Sequence, residues 1–202
     1  MSKKIIFYIV FFAILVIGFF AVLSYAIPGF TQTRVRPISN VQPFTFINQD
    51  GKPVTEKDIQ NKVVAVEYFF TTCRGICPRM NNNMKKVYEE LRGEKDFLIL
   101  SHTCDPEIDS PAVLKRYADS MKVDTQKWIF LTGRKDSLYS MARHSYKIDD
   151  PQNHFQKIED DFLHSQFIAL VNKKGEVIKI YDGLKQSEMN ELITDAKKQL
   201  KK

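Results

Sequence analysis

Two cysteines four residues apart, in Cys73-Arg74-Gly75-Ile76-Cys77-Pro78, are the residues of this chain best suited to chemistry. They stand where an apolar strand pattern gives way to a helical one, and one turn of helix brings both sulfurs to one side. A helix N-terminus offers free N–H donors and partial positive charge, and Arg74 adds a cation, so both thiols are expected to lean towards thiolate. Thiolates are nucleophiles and soft metal ligands. The spacing therefore points to thiol–disulfide exchange or to a soft metal, with an inert disulfide or two small buried side chains as the alternative.

A third ligand would separate metal binding from redox work alone. The histidines are His102, His144, His154 and His164. His164 closes a long polar stretch and directly precedes a strand pattern, in Asp161-Phe162-Leu163-His164-Ser165-Gln166-Phe167. Two thiolates and one imidazole suit three-coordinate Cu(I), whereas a structural zinc asks for a fourth protein ligand. A lone histidine is more often an ordinary hydrogen-bonded side chain. The third cysteine, Cys104, reads as a small buried hydrophobe or, with His102 two residues earlier on the same strand face near the Cys73 turn, as a resolving thiol or an occasional fourth ligand. Met80 and Met84 recur at helical spacing and read as core.

The elements that must hold these groups follow from periodicity. Phe44 to Ile47 alternates into the turn Asn48-Gln49-Asp50-Gly51 and on to Pro53-Val54, a small hairpin. Val63 to Phe70 reads as a strand buried on both faces, and Pro78 to Leu91 as an amphipathic helix with Asn81, Asn82 and Asn83 facing outward. Strands follow at Phe97 to Leu100 and Trp128 to Leu131, with helices from Ser110-Pro111 to Met121 and from Asp136 to Ser145. An irregular polar stretch runs from Asp149 to Asp161; then come a hairpin, Gln166 to Val171 with Val177 to Tyr181, and a last helix through Leu200. Helices interleaved with buried strands specify an α/β domain, a central mixed sheet flanked by helices, whose sites form at the C-terminal ends of the parallel strands.

The run Ile5 to Ile27 carries no charge and, at roughly 1.5 Å per residue, is long enough to span a bilayer core of about 30 Å. It is longer than the apolar core of a cleaved signal, although Ser24-Tyr25-Ala26 would pass as a cleavage site. The expected organisation is a membrane anchor over 1–28, a linker over 29–40 and one domain over 41–202. Lys3 and Lys4 on one flank are matched by Arg34 and Arg36 on the other; the short basic N-terminus still favours a domain on the extracytoplasmic, periplasmic side of a single-pass protein. The net charge of +6 is carried largely by Lys197, Lys198, Lys201 and Lys202 in the tail, so nucleic acid is not an expected partner.

Four segments in order give the chain, roughly from Val41 to Leu200, a resemblance to the Sco/SenC family of thioredoxin-like copper chaperones anchored by one N-terminal helix. They are Cys73-x-x-x-Cys77-Pro78; Thr103-Cys104-Asp105-Pro106-Glu107-Ile108-Asp109-Ser110-Pro111; Leu131-Thr132-Gly133; and His164-Ser165 ahead of a hairpin ending in Tyr181-Asp182-Gly183. The resemblance implies a thioredoxin-like fold after the transmembrane helix. It implies that Cys73, Cys77 and His164 bind copper, as Cu(I) and also Cu(II), with Cys104, Asp105 and Asp161 as auxiliary candidates. The implied function is a metallochaperone rather than an enzyme, delivering copper to the copper A site of cytochrome c oxidase subunit II or keeping that site's cysteines reduced. The alternative is a membrane-tethered thiol–disulfide oxidoreductase in which Cys73 attacks and Cys77 resolves. The chain departs from the pattern in three places: Arg74-Gly75 stands where many members have proline after the first cysteine, Leu163 stands where many have aspartate, and Cys104 takes a usually apolar position. Asp160 or Asp161 would then have to orient the histidine.

Overall fold

The computed structural model describes residues 2–27, 36–150, 152, 162–163 and 165–202. The chain divides into two units, Met1–Arg36 and Pro37–Lys202. In the first, helix α1 (Lys3–Ala26) is apolar all round, and its length and composition are those of a helix able to cross a membrane.

The second unit is built on one mixed sheet. Its strands in chain order are β1 (Ser39–Asn40), β2 (Thr45–Asn48), β3 (Pro53–Thr55), β4 (Val63–Phe69), β5 (Phe97–Thr103), β6 (Trp128–Thr132), β7 (Phe167–Val171) and β8 (Glu176–Asp182). In space they run β1-β8-β7-β4-β5-β6-β2-β3. The three central strands β4, β5 and β6 are parallel, with Glu67 level with Ser101 and Phe69 level with Thr103; β7 lies antiparallel on β4. Every residue of β4 and β5 is buried, which is why their sequences are continuous apolar runs rather than alternating ones.

Alternation along the strands divides the core in two. Val63, Ala65 and Phe69 of β4 face helices α2 (Cys77–Leu91), α3 (Pro111–Met121) and α5 (Gln186–Leu200), packing on Met80, Met84, Leu114, Met189 and Leu192. Val64, Val66 and Tyr68 face the other way, onto Phe44, Phe46, Leu138, Tyr139 and Tyr146. The latter side is covered by α4 (Lys135–Ser140) and a single widened turn, Met141–Ser145, closed by the Tyr146 N–H on the Met141 carbonyl at 2.8 Å. One uniform helix was expected over Asp136 to Ser145; the wide turn is what lets Tyr146 and Ile148 both reach the core.

Two further expectations are corrected. Asn81 and Asn83 do not face outward: Asn81 Nδ2 donates to Tyr117 Oη at 2.6 Å and Asn83 Nδ2 to the Gly183 carbonyl at 2.9 Å, because α2 is covered by α3 on one flank and by the β8–α5 turn on another. Only Asn82 of the three is exposed. The stretch expected to be linker already carries β1, where Ser39 and Asn40 pair with Val177 and Glu176.

His102 of β5 is wholly buried, stacked on Tyr68 with ring centroids 4.9 Å apart and set edgewise to Phe46 at 5.3 Å. Neither ring nitrogen has a hydrogen-bond partner among the described residues, and burial drops its pKa to about 3. The folded protein therefore holds this imidazole neutral, while the unfolded chain protonates it below about pH 6.5. The sign follows: stability is full above the unfolded pKa and falls as the pH drops towards the folded one, by up to about 1.4 kcal/mol per pH unit for this group. Urea unfolding of residues 37–202 between about pH 7 and pH 5 is expected to show that slope, and His102→Phe to flatten it; an unchanged slope in the variant would assign the acid sensitivity elsewhere.

Candidate thiol and metal site

Cys73 and Cys77 sit at the C-terminal end of β4, where the strand hands over to α2. The turn is drawn tight by the Cys73 N–H on the Phe70 carbonyl at 3.2 Å, and Pro78 takes a first-turn position of α2 where no N–H is needed. Cys73 is half-buried and Cys77 buried, and neither is in a disulfide. Burial alone would raise the Cys73 thiol. The Cys77 thiol and the backbone N–H groups of Cys77, Gly75 and Ile76 all donate to it, and together they hold it below the ordinary thiol range.

Its partner goes the other way. Burial, and its role as donor to Cys73, push the Cys77 thiol up to about 12, with the charges of Cys73 and Glu67 adding to the rise and a backbone bond at Phe70 opposing it. The expectation that both thiols lean towards thiolate is thus corrected. One helix N-terminus supplies a single set of donors and Cys73 takes them, while burial, with the hydrogen bond to Cys73, favours the proton on Cys77. A half-buried thiol of lowered pKa beside a buried thiol of raised pKa is the asymmetry of an attacking and a resolving cysteine.

The position of this turn relative to the end of β5 is set by Asp109, whose carboxyl is wholly buried. Its Oδ2 accepts the Thr71 N–H at 3.1 Å and the Thr103 hydroxyl at 2.6 Å, and its Oδ1 accepts the Thr71 hydroxyl. The Thr103 oxygen in turn accepts the Asp105 N–H at 2.9 Å. One carboxyl therefore ties the end of β4 to the end of β5. The Asp105 carboxyl itself is pushed above its usual range by burial and by the nearby Asp109 charge.

Cys104 follows β5 and donates its N–H to the Phe69 carbonyl at 2.7 Å. Its side chain packs with Tyr68, Leu138 and Tyr139, in the half of the core on the opposite face of the sheet from Cys77. His102 shares that face. Burial holds the Cys104 thiol well above its ordinary pKa. The structure thus brings Cys73 and Cys77 together and places His102 and Cys104 behind the sheet.

His164 and Asp161, with Asp160 and His154, lie outside the described residues. Their described neighbours are fixed. Phe162 meets Phe70 edge to face with centroids 5.1 Å apart, directly beside the Cys73 turn. The Leu163 N–H donates to Tyr139 Oη at 3.2 Å, and that hydroxyl donates to the Cys104 carbonyl at 2.8 Å. Ser165 Oγ donates to the Ile148 carbonyl at 2.6 Å. Among the described residues no cluster of three His, Cys, Asp or Glu side chains forms, so a metal held by the two thiols would draw its remaining ligand from outside that set.

Sequence reasoning passed over three residues that shape the site. Tyr139 anchors the segment leading to position 164, and nothing in its helical spacing marks it. Asp109 was read as part of a motif without a role. Glu67 is a lone acid inside a wholly buried apolar strand, and that mismatch was the available signal.

The fold and the thiol pair define a thioredoxin-like domain with a Cys-x-x-x-Cys turn. The SCO1/SenC family profile matches residues 33–201. The SCO1 protein homolog of Bacillus subtilis is 35% identical over 161 residues, covering 78% of this chain and 81% of that protein. The structure of BsSco, a member of the Sco family of cytochrome c oxidase assembly proteins in which a disulfide switch has been identified, superposes with a TM-score of 0.69 at 32% identity, over 83% of this chain and 98% of that one. Arabidopsis thaliana ScoI, solved with copper bound, superposes with a TM-score of 0.63 at 26% identity, over 81% and 99%. The chain belongs to the SCO1/SenC family.

Removing the Asp109 carboxyl would leave the Thr71 N–H and both threonine hydroxyls without their buried acceptor. Asp109→Ala is expected to cost about 2–4 kcal/mol in thermal or urea unfolding and to slow iodoacetamide alkylation of Cys73 near neutral pH as the turn loosens. A cost under about 0.5 kcal/mol with unchanged alkylation would deny the tie its role.

Proposed function

We propose that this chain is a membrane-anchored copper metallochaperone of cytochrome c oxidase assembly, with Cys73, Cys77 and His164 as the copper ligands. The observation that carries the reading is the paired, unbridged thiols at the end of β4 in a chain of the SCO1/SenC family, one of whose structural neighbours holds copper. Two thiolates and one imidazole make a soft, low-coordinate site suited to Cu(I), and the imidazole keeps Cu(II) within reach. Copper replaces the Cys77 proton, so binding strengthens as the pH rises. A site with few ligands at a half-buried turn can pass its ion on by ligand exchange, here to the copper A site of oxidase subunit II. Residues 1–28 form the anchor, 29–40 the connection, whose last two residues already pair into the sheet as β1, and 41–202 the copper-binding domain, on the extracytoplasmic side of the membrane; Asp105, Asp161 and Cys104, which packs on the other sheet face but is reached by the Cys77 and Cys73 charges, are auxiliary to the site.

A second reading rests on the opposed shifts of the two thiols, which suit a thiol–disulfide oxidoreductase acting on the target's cysteines. The two activities are compatible, because a two-cysteine copper site must be reduced before it is filled.

Anaerobic Cu(I) titration of the reduced protein against a chromogenic competitor decides between them. One copper per chain is expected, with affinity lowered at least about tenfold, or about 1.4 kcal/mol, in both His164→Ala and Cys77→Ser. Affinity indifferent to His164 would leave thiol exchange as the function.

A further inference from the structure

Charge is divided unevenly between the two ends of the central strands. At the end where β4 begins and β7 finishes, three segments distant in sequence converge. The Lys173 carbonyl accepts the Asn61 N–H at 3.2 Å, the Lys173 Nζ donates to the Leu200 carbonyl at 2.8 Å, and the Gly175 carbonyl accepts the Val41 N–H at 2.8 Å. The loop entering β4, the β7–β8 turn and the end of α5 are thereby tied together. Each brings lysines: Lys62, then Lys173 with Lys174, then Lys201 with Lys202. All are exposed or half-buried, and none forms an ion pair among the described residues. Acids that could neutralise them are engaged elsewhere. On α2 and α5, Glu89 pairs with Arg92, Glu90 with Lys197, and Asp195 with Lys179 and Lys198. Glu176 accepts from Asn172 Nδ2 at 2.7 Å. The loop Glu94-Lys95-Asp96 is balanced by Lys127, whose Nζ donates to the Glu94 and Lys95 carbonyls.

A helix C-terminus favours cations, which accounts for the Lys173 bond to Leu200 and for lysines at 201 and 202. It does not account for Lys62 or Lys174, which stand at a strand entry and on a hairpin turn. Nor is the thiol end of the strands basic in the same way, since Arg74 and Arg79 share it with Asp105, Glu107 and Asp109. The path of the chain says what meets the basic end. Residues 27–38 separate the end of α1 from β1, and β1 joins the sheet opposite Val177 and Glu176, beside the β7–β8 turn. A tether of that length reaches at most about 40 Å, so a bilayer crossed by α1 stays close to the domain. We propose that Lys62, Lys173, Lys174, Lys201 and Lys202 form a docking surface for anionic phospholipid headgroups, by which the domain is seated on the membrane. The inference rests on the reading of α1 as a membrane-spanning anchor.

A lysine within a Debye length of an anionic surface is attracted to it, and lysines fixed on one rigid face act together. Headgroup phosphate oxygens accept hydrogen bonds from ammonium groups that no carboxylate occupies. Seating by this end also sets the direction of the site. At about 3.3 Å per residue, β4 (Val63–Phe69) carries the Cys73 turn about 20 Å beyond the lysines, away from the headgroups. The seated domain presents its thiols to a partner and not to lipid.

The test places the full chain in nanodiscs of phosphatidylcholine alone or with about a third phosphatidylglycerol, and follows acetylation of each lysine by N-hydroxysuccinimidyl acetate with mass spectrometry. In the anionic discs Lys62, Lys173, Lys174, Lys201 and Lys202 are expected to react at least about threefold more slowly, with the difference lost near ~0.5 M salt. Lys135 and Lys185, where α4 and α5 start at the thiol end, are expected to change by less than about 1.5-fold. Lys62→Glu combined with Lys174→Glu is expected to remove the protection of Lys173, Lys201 and Lys202. Equal rates for the proposed lysines in the two discs overturn the proposal, as does protection that extends equally to Lys135 and Lys185; neither result needs a variant to fold. Alkaline carbonate extraction of the full chain from phosphatidylcholine vesicles judges the anchor separately. Extraction refutes the span, whereas retention with equal lysine rates refutes the docking surface alone.

Discussion

The Asp109 carboxyl holds the ends of two parallel strands in one place. Parallel neighbours have no hairpin between them, so the loops that leave β4 and β5 must be joined by something other than the chain itself. Asp109 does this with three donors from Thr71 and Thr103 on two of its oxygens. The Cys73 turn begins two residues after Thr71, and the lowered pKa of its thiol depends on N–H groups that the turn aims at one sulfur. A shift of the loop would scatter those donors and with them the difference between the two thiols.

Beneath that turn the sheet separates two chemistries. On one face Glu67, Ser101 and Trp128 make a short polar line through an otherwise apolar half-core that also holds Cys77. On the other, His102 and Cys104 are enclosed by aromatic rings and held neutral by burial. The alternation of side chains along β4 and β5 is what keeps these sets apart. It also explains why three cysteines close in sequence do not share one environment.

The sequence was legible where periodicity decides. Buried runs became β4 and β5, the Asn48 to Gly51 turn joined β2 to β3, and Met80 and Met84 proved to be core, because each follows from one segment read alone. Positions decided by distant packing were not. Asn81 and Asn83 look like solvent-facing residues until Tyr117 and Gly183 are brought over them. The wide turn at Met141 leads directly into the buried Tyr146, and no local pattern announces it. At the thiol pair the spacing identified the residues, but the direction of each acidity depended on which sulfur received the shared donors.

The ends of the sheet have a consequence for how the molecule can meet another. Its borders are β1, two residues long, and β3, three residues long and opening on Pro53, which has no N–H to offer. Among the described residues both borders are short, and a short edge offers an added strand from a second chain little to pair with. The surface open to a partner includes the crests of the loops that crown the three parallel strands, those of Cys73, Asp105 and Gly133.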